Sequence, residues 1–326
     1  LGRESLAFVC GRAASALEQC DPSATPAAKR GKVQAVSSLA AAVGAAGGAS
    51  ALVAAVPAML RMCSPGEAAD DSDAEGDGEM DEVRESCLHT FDLLATRCGA
   101  ETKEHTPSFL QSAMALVAWD PNFAYGDEGE AASDEDMEDD EYYDDFSDDE
   151  DSSWKVRKAA ARCIGGIAQG ASGGLEVDTW RQAFELLAGR LRERDENVRV
   201  EVIQALIEVL KSAEARQDEQ ERQACRSVVG ENLAKLVASS LAELGGKASA
   251  KVKCMLCNLM QELLSASPEA MAPHLLAVAA ALPPVISDKG QDSSLRVEAV
   301  ALLRAAFAAA GPEAREGEAL LPAYQA

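Results

Sequence analysis

Five times along the chain a polar or acidic turn is followed by an aliphatic residue, then Arg or Lys, then an apolar helical face. The copies are Asp81-Glu82-Val83-Arg84, Ser153-Trp154-Lys155-Val156-Arg157, Asp195-Glu196-Asn197-Val198-Arg199, Ala250-Lys251-Val252-Lys253 and Ser294-Leu295-Arg296. The aliphatic positions are separated by 73, 42, 54 and 43 residues, and the shorter intervals match the ~40–47-residue period of HEAT and armadillo repeats. A second helical stretch precedes each copy, as Thr179-Trp180-Arg181-Gln182-Ala183-Phe184-Glu185-Leu186-Leu187 precedes the third. One helix pair cannot bury its apolar faces alone, so neighbouring pairs stack into a superhelix, with first helices outside and second helices inside. The expectation is an all-α fold, a HEAT-repeat solenoid forming a single array. Its repeats fall at residues 2–45, 49–98, 103–170, 176–212, 221–265 and 269–309, with a seventh beginning at Ala319. Pro26, Pro107, Pro268 and Pro312 lie near helix starts, where a missing amide costs little.

Composition agrees. Ala and Leu dominate, aromatic residues make up 4%, and runs of Val, Ile, Tyr and Thr bounded by turn residues are absent. The nine cysteines are irregularly spaced within apolar helical patterns, which favours buried thiols in a reducing compartment, cytoplasm or nucleus. The longest uncharged stretch, Val33 to Leu60, is built of Ala, Gly and Ser and broken at Gly47-Gly48. It reads as two helices joined by a Gly turn rather than as a membrane span. The chain starts without Met and stops inside a helical pattern, so a fragment of something longer is expected.

The formal net charge of −25 is a property of two segments. Residues 127–151 hold 16 acidic side chains and residues 67–82 hold nine, neither with a Lys or Arg, and the remainder is charge-balanced. Both segments fall in the turn between the two helices of a repeat, where Arg192 to Asn197 suffices elsewhere. Residues 64–80 and 121–151 are therefore expected to be loop insertions that the core does not require, and loops along one rim of a solenoid often carry binding. Tyr125, Tyr142, Tyr143 and Phe146 are interleaved with the carboxylates, offering a basic partner apolar contact as well as charge. The sign of the charge excludes nucleic acid as the partner of these loops. Ser133 and Ser147 each have an acidic residue three positions on, Asp136 and Glu150, a pattern that suits an acidophilic kinase.

No catalytic set emerges, and no enzyme, cofactor or metal is expected. His89, His105 and His274 lie in three different repeats, so a nucleophile–base pair would have to be assembled across them by coincidence. Cys254 and Cys257 have the spacing of half a zinc site but no second pair, and read as core thiols. Asp71, Asp73, Glu75, Gly76 and Glu82 approximate a calcium loop, although Glu75 and Gly78 depart from that pattern. A flexible acidic insertion explains the same residues. The Arg of the repeated motif has two readings: an i,i+4 turn-to-helix ion pair, as from Asp195 to Arg199, or contact with a partner.

The segment Trp119-Asp120-Pro121-Asn122-Phe123-Ala124-Tyr125, the acidic run, and then Ser153-Trp154-Lys155-Val156-Arg157-Lys158 resemble the cullin-associated neddylation-dissociated family. That family carries a Tyr-Asp-Pro-Asn-Tyr block, a long acidic loop and a Ser-Trp-Lys-Val-Arg block opening the next helix. The resemblance continues through Val252 to Leu264 and Ile286 to Ala305, reaches back to Asp81, and fades before about Leu60. Trp119 in place of Tyr and the long Ser64–Met80 stretch depart from the family pattern. The resemblance implies a solenoid that winds around an unneddylated cullin bound to its RING subunit. It also implies shielding of the modification site, competition with the substrate-receptor adaptor, and receptor exchange on SCF-type ubiquitin ligases. On this reading Arg84, Arg157, Arg199 and Arg296 face the cullin from the inner helices. Asp134, Glu135, Asp136, Asp139, Asp140, Tyr142, Tyr143, Asp148 and Asp149 meet basic surface near its ligase end. The free protein is expected to be a monomer that binds neither nucleic acid nor membrane. The competing expectation is an importin-beta-type nuclear transport receptor, another HEAT solenoid whose acidic loop receives basic cargo.

Overall fold

Four helices open on a side chain that caps them. Asp195 accepts from the Asn197 and Val198 amides at 2.8 and 3.0 Å, and Asp218 from Gln220 and Glu221 at 2.7 and 3.2 Å. Ser249 accepts from Val252 at 3.3 Å and Asp292 from Ser294 at 2.7 Å. Each satisfies amides that a helix start leaves without an intrahelical partner. The computed structural model describes residues 3–43, 49–64, 74–119, 152–170, 174–288 and 290–310. Among them the α-helices are α1 (Arg3–Glu18), α2 (Pro26–Val43), α3 (Val56–Met62), α4 (Ala74–Arg97), α5 (Gly99–Thr102), α6 (Thr106–Ala118) and α7 (Ser153–Gly170). They continue with α8 (Val177–Gly189), α9 (Glu196–Glu214), α10 (Glu219–Gly245), α11 (Ala250–Ala266), α12 (Pro268–Met271), α13 (Leu275–Ser287) and α14 (Ser293–Ala309). Short 3₁₀ turns cover Ala49–Ala55, Lys103–His105 and Ala272–His274, and no strand occurs among the described residues. The fold is all-α, as the repeat pattern requires.

Contacts divide the chain into two compact units, Leu1–Ala160 and Ala161–Ala326. In the first, α2 packs on α4, α1 on α2 and the Ala49–Ala55 turn, and α3 on α4 and α6. Leu17, Leu52, Met59, Leu88, Phe91 and Phe109 are fully buried there. The Phe91 and Phe109 rings stack at 4.5 Å between centroids, joining α4 to α6 and adding about 0.5–1.5 kcal/mol to the area they bury.

In the second unit the helices form two layers. First helices α8, α10 and α13 lie in one, and second helices α9, α11 and α14 in the other, α9 packing on α11 and α11 on α14. Trp180 ties the layers together: its ring is fully buried, stacks on Phe184, and donates through Nε1 to the Val209 carbonyl at 2.8 Å. Gly165 lets α7 approach α9, since a Cβ there would sit 3.1 Å from the Ala205 Cα. The apolar stretch Pro268–Ser287 is long enough to cross a membrane by length and composition. It is, however, broken by the Ala272–His274 turn, and α13 packs on α10 and α14.

One boundary differs from expectation. Helix α4 begins at Ala74, so residues 74–80 of the segment read as a loop are helical. The same helix winds through Ala74 to Glu82, which excludes the calcium-loop reading, because that loop must curl its ligands around an ion over the same residues.

Candidate partner-binding surface

The basic residue of the repeated motif sits in the first two turns of a second helix at Arg157, Arg199, Lys253 and Arg296, and in the third turn of α4 at Arg84. In the second unit it donates backwards to the main chain. Arg199 Nε reaches the Glu193 carbonyl at 2.8 Å, Lys253 Nζ the Gly246 carbonyl at 2.8 Å, and Arg296 Nε the Ile286 carbonyl at 3.1 Å. Gly246 is the residue that closes α10, and Ile286 lies in the last turn of α13. Carbonyls there have no intrahelical partner and carry the negative end of the helix dipole, so a cation is the natural cap. The expected ion pair from Asp195 to Arg199 does not form. Asp195 caps α9, and Arg199 pairs instead with Glu243 at 3.1 Å.

In the first unit the corresponding arginines are buried. Arg84 is 4% exposed and bonds Asp81 at 2.7 Å, and Arg157 is 0% exposed and donates to Ser153 Oγ at 2.8 Å. A side chain enclosed in this way cannot line a partner surface, so the expectation that Arg84 and Arg157 face a partner is corrected. Arg199 is partly buried and Arg296 exposed, and both are engaged within the chain. Arg199 and Arg296 fasten the end of one helix to the start of the next, whereas Arg84 and Arg157 bond side chains on their own helices.

The Asp81–Arg84 pair does more than fasten α4. Ser152 Oγ donates to the second oxygen of Asp81 at 2.6 Å, across 71 residues of sequence. The Arg84 guanidinium lies 5.0 Å from the centroid of the Trp119 ring, a cation–π arrangement. Trp119 and Ser152 are the described residues that flank 120–151, so both ends of the acidic segment are tied to one buried ion pair on α4. Ser152 also lies against Gly78, in the first half of the same helix, where a Cβ would meet its hydroxyl at 3.5 Å. Beyond this node, Lys155 and Lys158 each lie 5.9 Å from the Trp154 ring centroid. Asp134, Glu135, Asp136, Asp139, Asp140, Tyr142, Tyr143, Asp148 and Asp149 lie outside the described residues, as do Ser133 and Ser147.

The other candidate residues are dispersed. His89 is exposed on α4, His105 stacks against Phe109, and His274 belongs to the second unit. Burial pushes the Cys63 and Cys257 thiols up to about 12 and holds Cys87 well above the usual thiol range. These groups are protonated at neutral pH and poor nucleophiles. The node at Asp81 was not legible in the sequence, where nothing links Asp81 to Ser152. Lys253 was legible, because it stands at the motif's basic position.

The HEAT-repeat family model matches residues 150–171. Cullin-associated NEDD8-dissociated protein 1 of Drosophila melanogaster is 31% identical over 233 residues, covering 68% of this chain and 18% of that protein. The Arabidopsis thaliana protein of the same name is 28% identical over 278 residues, covering 79% and 20%. Cullin-associated NEDD8-dissociated protein 2 of Mus musculus is 28% identical over 243 residues, covering 69% and 19%. The chain thus spans about a fifth of the length of these relatives. Among solved structures, a designed armadillo repeat protein superposes with a TM-score of 0.52 at 16% identity, covering 91% of this chain and 99% of that one, a likeness of fold alone. The chain is a HEAT-repeat protein and a homologue, over about two thirds of its own length, of one stretch of the cullin-associated NEDD8-dissociated proteins.

Proposed function

We propose that this chain is a segment of a non-enzymatic scaffold that binds a cullin carrying its RING subunit. In that setting it holds the unneddylated cullin, competes with the substrate-receptor adaptor and contributes to receptor exchange on SCF-type ubiquitin ligases, thereby regulating neddylation. The observation that carries the reading is the 31% identity to the fly protein over 233 residues. Tying both ends of the 16-carboxylate segment to one pair on α4 supports it further, because the charge is then delivered from one defined place to a basic partner. With Arg84 and Arg157 enclosed, the acidic segment, Arg199 and Arg296 are the parts of the expected contact set that remain for a partner. The setting proposed is cytoplasm and nucleus, with the free chain monomeric and binding neither nucleic acid nor membrane. A segment of this size holds the partner without exchanging receptors by itself.

The test is capture of a purified cullin–RING dimer by the chain over a salt series, with and without residues 121–151. Deleting the segment is expected to weaken binding roughly tenfold at low salt and to flatten the salt dependence. Unchanged affinity and slope would remove the acidic segment from the contact, and failure to capture the dimer alongside GTP-sensitive capture of the Ran GTPase would replace the reading with that of a transport receptor.

A further inference from the structure

In the second unit many cations are neutralised by neighbours: Arg199 by Glu243, Arg216 by Glu221, Arg226 by Glu214 and Lys211 by Glu208. Arg192 and Lys235 are not. Both are exposed, and neither has a carboxylate or hydrogen-bond partner among the described residues. They line one cleft of about 440 Å³ between the end of α8 and the middle of α10, a volume within the range of ligand clefts, about 300–1,000 Å³. Its floor is apolar, formed by buried Leu191 and Leu236 with Ala188 and Ala238, and the Ser239 hydroxyl stands beside them. No carboxylate lines it, in a chain whose net charge is −25.

A second cleft of about 570 Å³ in the same unit shows the contrast, since there Lys211 and Arg216 stand among Glu208, Asp218 and Glu221 and the charges close on themselves. Two open cations over an apolar floor are complementary to carboxylates flanking an apolar side chain. We propose that the α8–α10 cleft docks an acidic peptide segment of a partner protein, Arg192 and Lys235 facing its carboxylates while Leu191 and Leu236 receive an apolar side chain between them. The site lies wholly among first helices of one unit.

The experiment titrates the full chain into a fluorescein-labelled peptide of Asp and Glu around a central Tyr, and into its Asn/Gln isostere. The acidic peptide binds and the isostere does not. The double variant Arg192→Glu/Lys235→Glu lowers affinity about tenfold, because both exposed pairs are lost and replaced by like-charge repulsion. Ala238→Glu, at an exposed position in the cleft, lowers it as well while helical circular dichroism is unchanged. Equal binding of the isostere, wild-type affinity in both variants, or displacement by a single-stranded oligonucleotide at lower concentration than by unlabelled peptide overturns the proposal.

Discussion

The two units solve one problem differently. Where a repeat has a short turn, as before Arg199, Lys253 and Arg296, the motif's cation reaches a main-chain carbonyl at or just beyond the end of the preceding helix. In the repeats that carry an acidic insertion, Arg84 and Arg157 are enclosed and bond side-chain oxygens on their own helices, Asp81 and Ser153. A short turn brings a carbonyl within reach, and the cation that meets it ranges from exposed at Arg296 to buried at Lys253. An insertion gives the chain no reason to return at a fixed spot, and a buried pair whose carboxylate also accepts from Ser152 supplies one. The same residue at the same register is a helix cap in one unit and an anchor for an appendage in the other.

The largest effect is expected at the anchor. Asp81→Ala leaves the Arg84 guanidinium enclosed without its carboxylate, which costs about 3–5 kcal/mol, and Asp81→Asn, which keeps one acceptor oxygen but not the charge, recovers only part of that loss. Urea unfolding followed by Trp119 and Trp154 in a Trp180→Phe background reads the first unit alone, and equal stability of the alanine variant and the parent would show that the pair anchors nothing. A smaller loss is expected at the caps. Arg199→Ala removes one hydrogen bond to the Glu193 carbonyl and a partly exposed pair with Glu243, together about 1–2 kcal/mol, read from Trp180 fluorescence in urea. A loss as large as that of Asp81→Ala would erase the distinction between cap and anchor.

The smallest effect belongs to Asp292. Hydrogen bonds from Ser294 hold its carboxyl below the usual carboxylate range. Its contribution is therefore present above the unfolded value of about 3.9 and lost as pH falls through the folded one. Asp292→Asn should flatten the fall in urea midpoint between about pH 5 and pH 3, and a slope identical to the parent's would deny the cap a charged role.

Local chemistry alone determined the helices, their pairing and the two carboxylate-rich stretches. Periodicity, an Asp or Ser ahead of an apolar run, and a run of like charge act over a few residues and leave their mark in the order of the chain. The start of α4 escaped this reading, since acidic residues and glycines suggested a loop where a helix begins at Ala74. Only tertiary packing decided what the motif's cations bind. Whether Arg84 meets a partner protein or Asp81, whether Ser152 comes home to α4, and whether Arg192 and Lys235 share one cleft all depend on which helices lie side by side. That adjacency is set by the burial of apolar faces far apart in sequence, which fixes the position of a polar side chain without leaving any trace beside it.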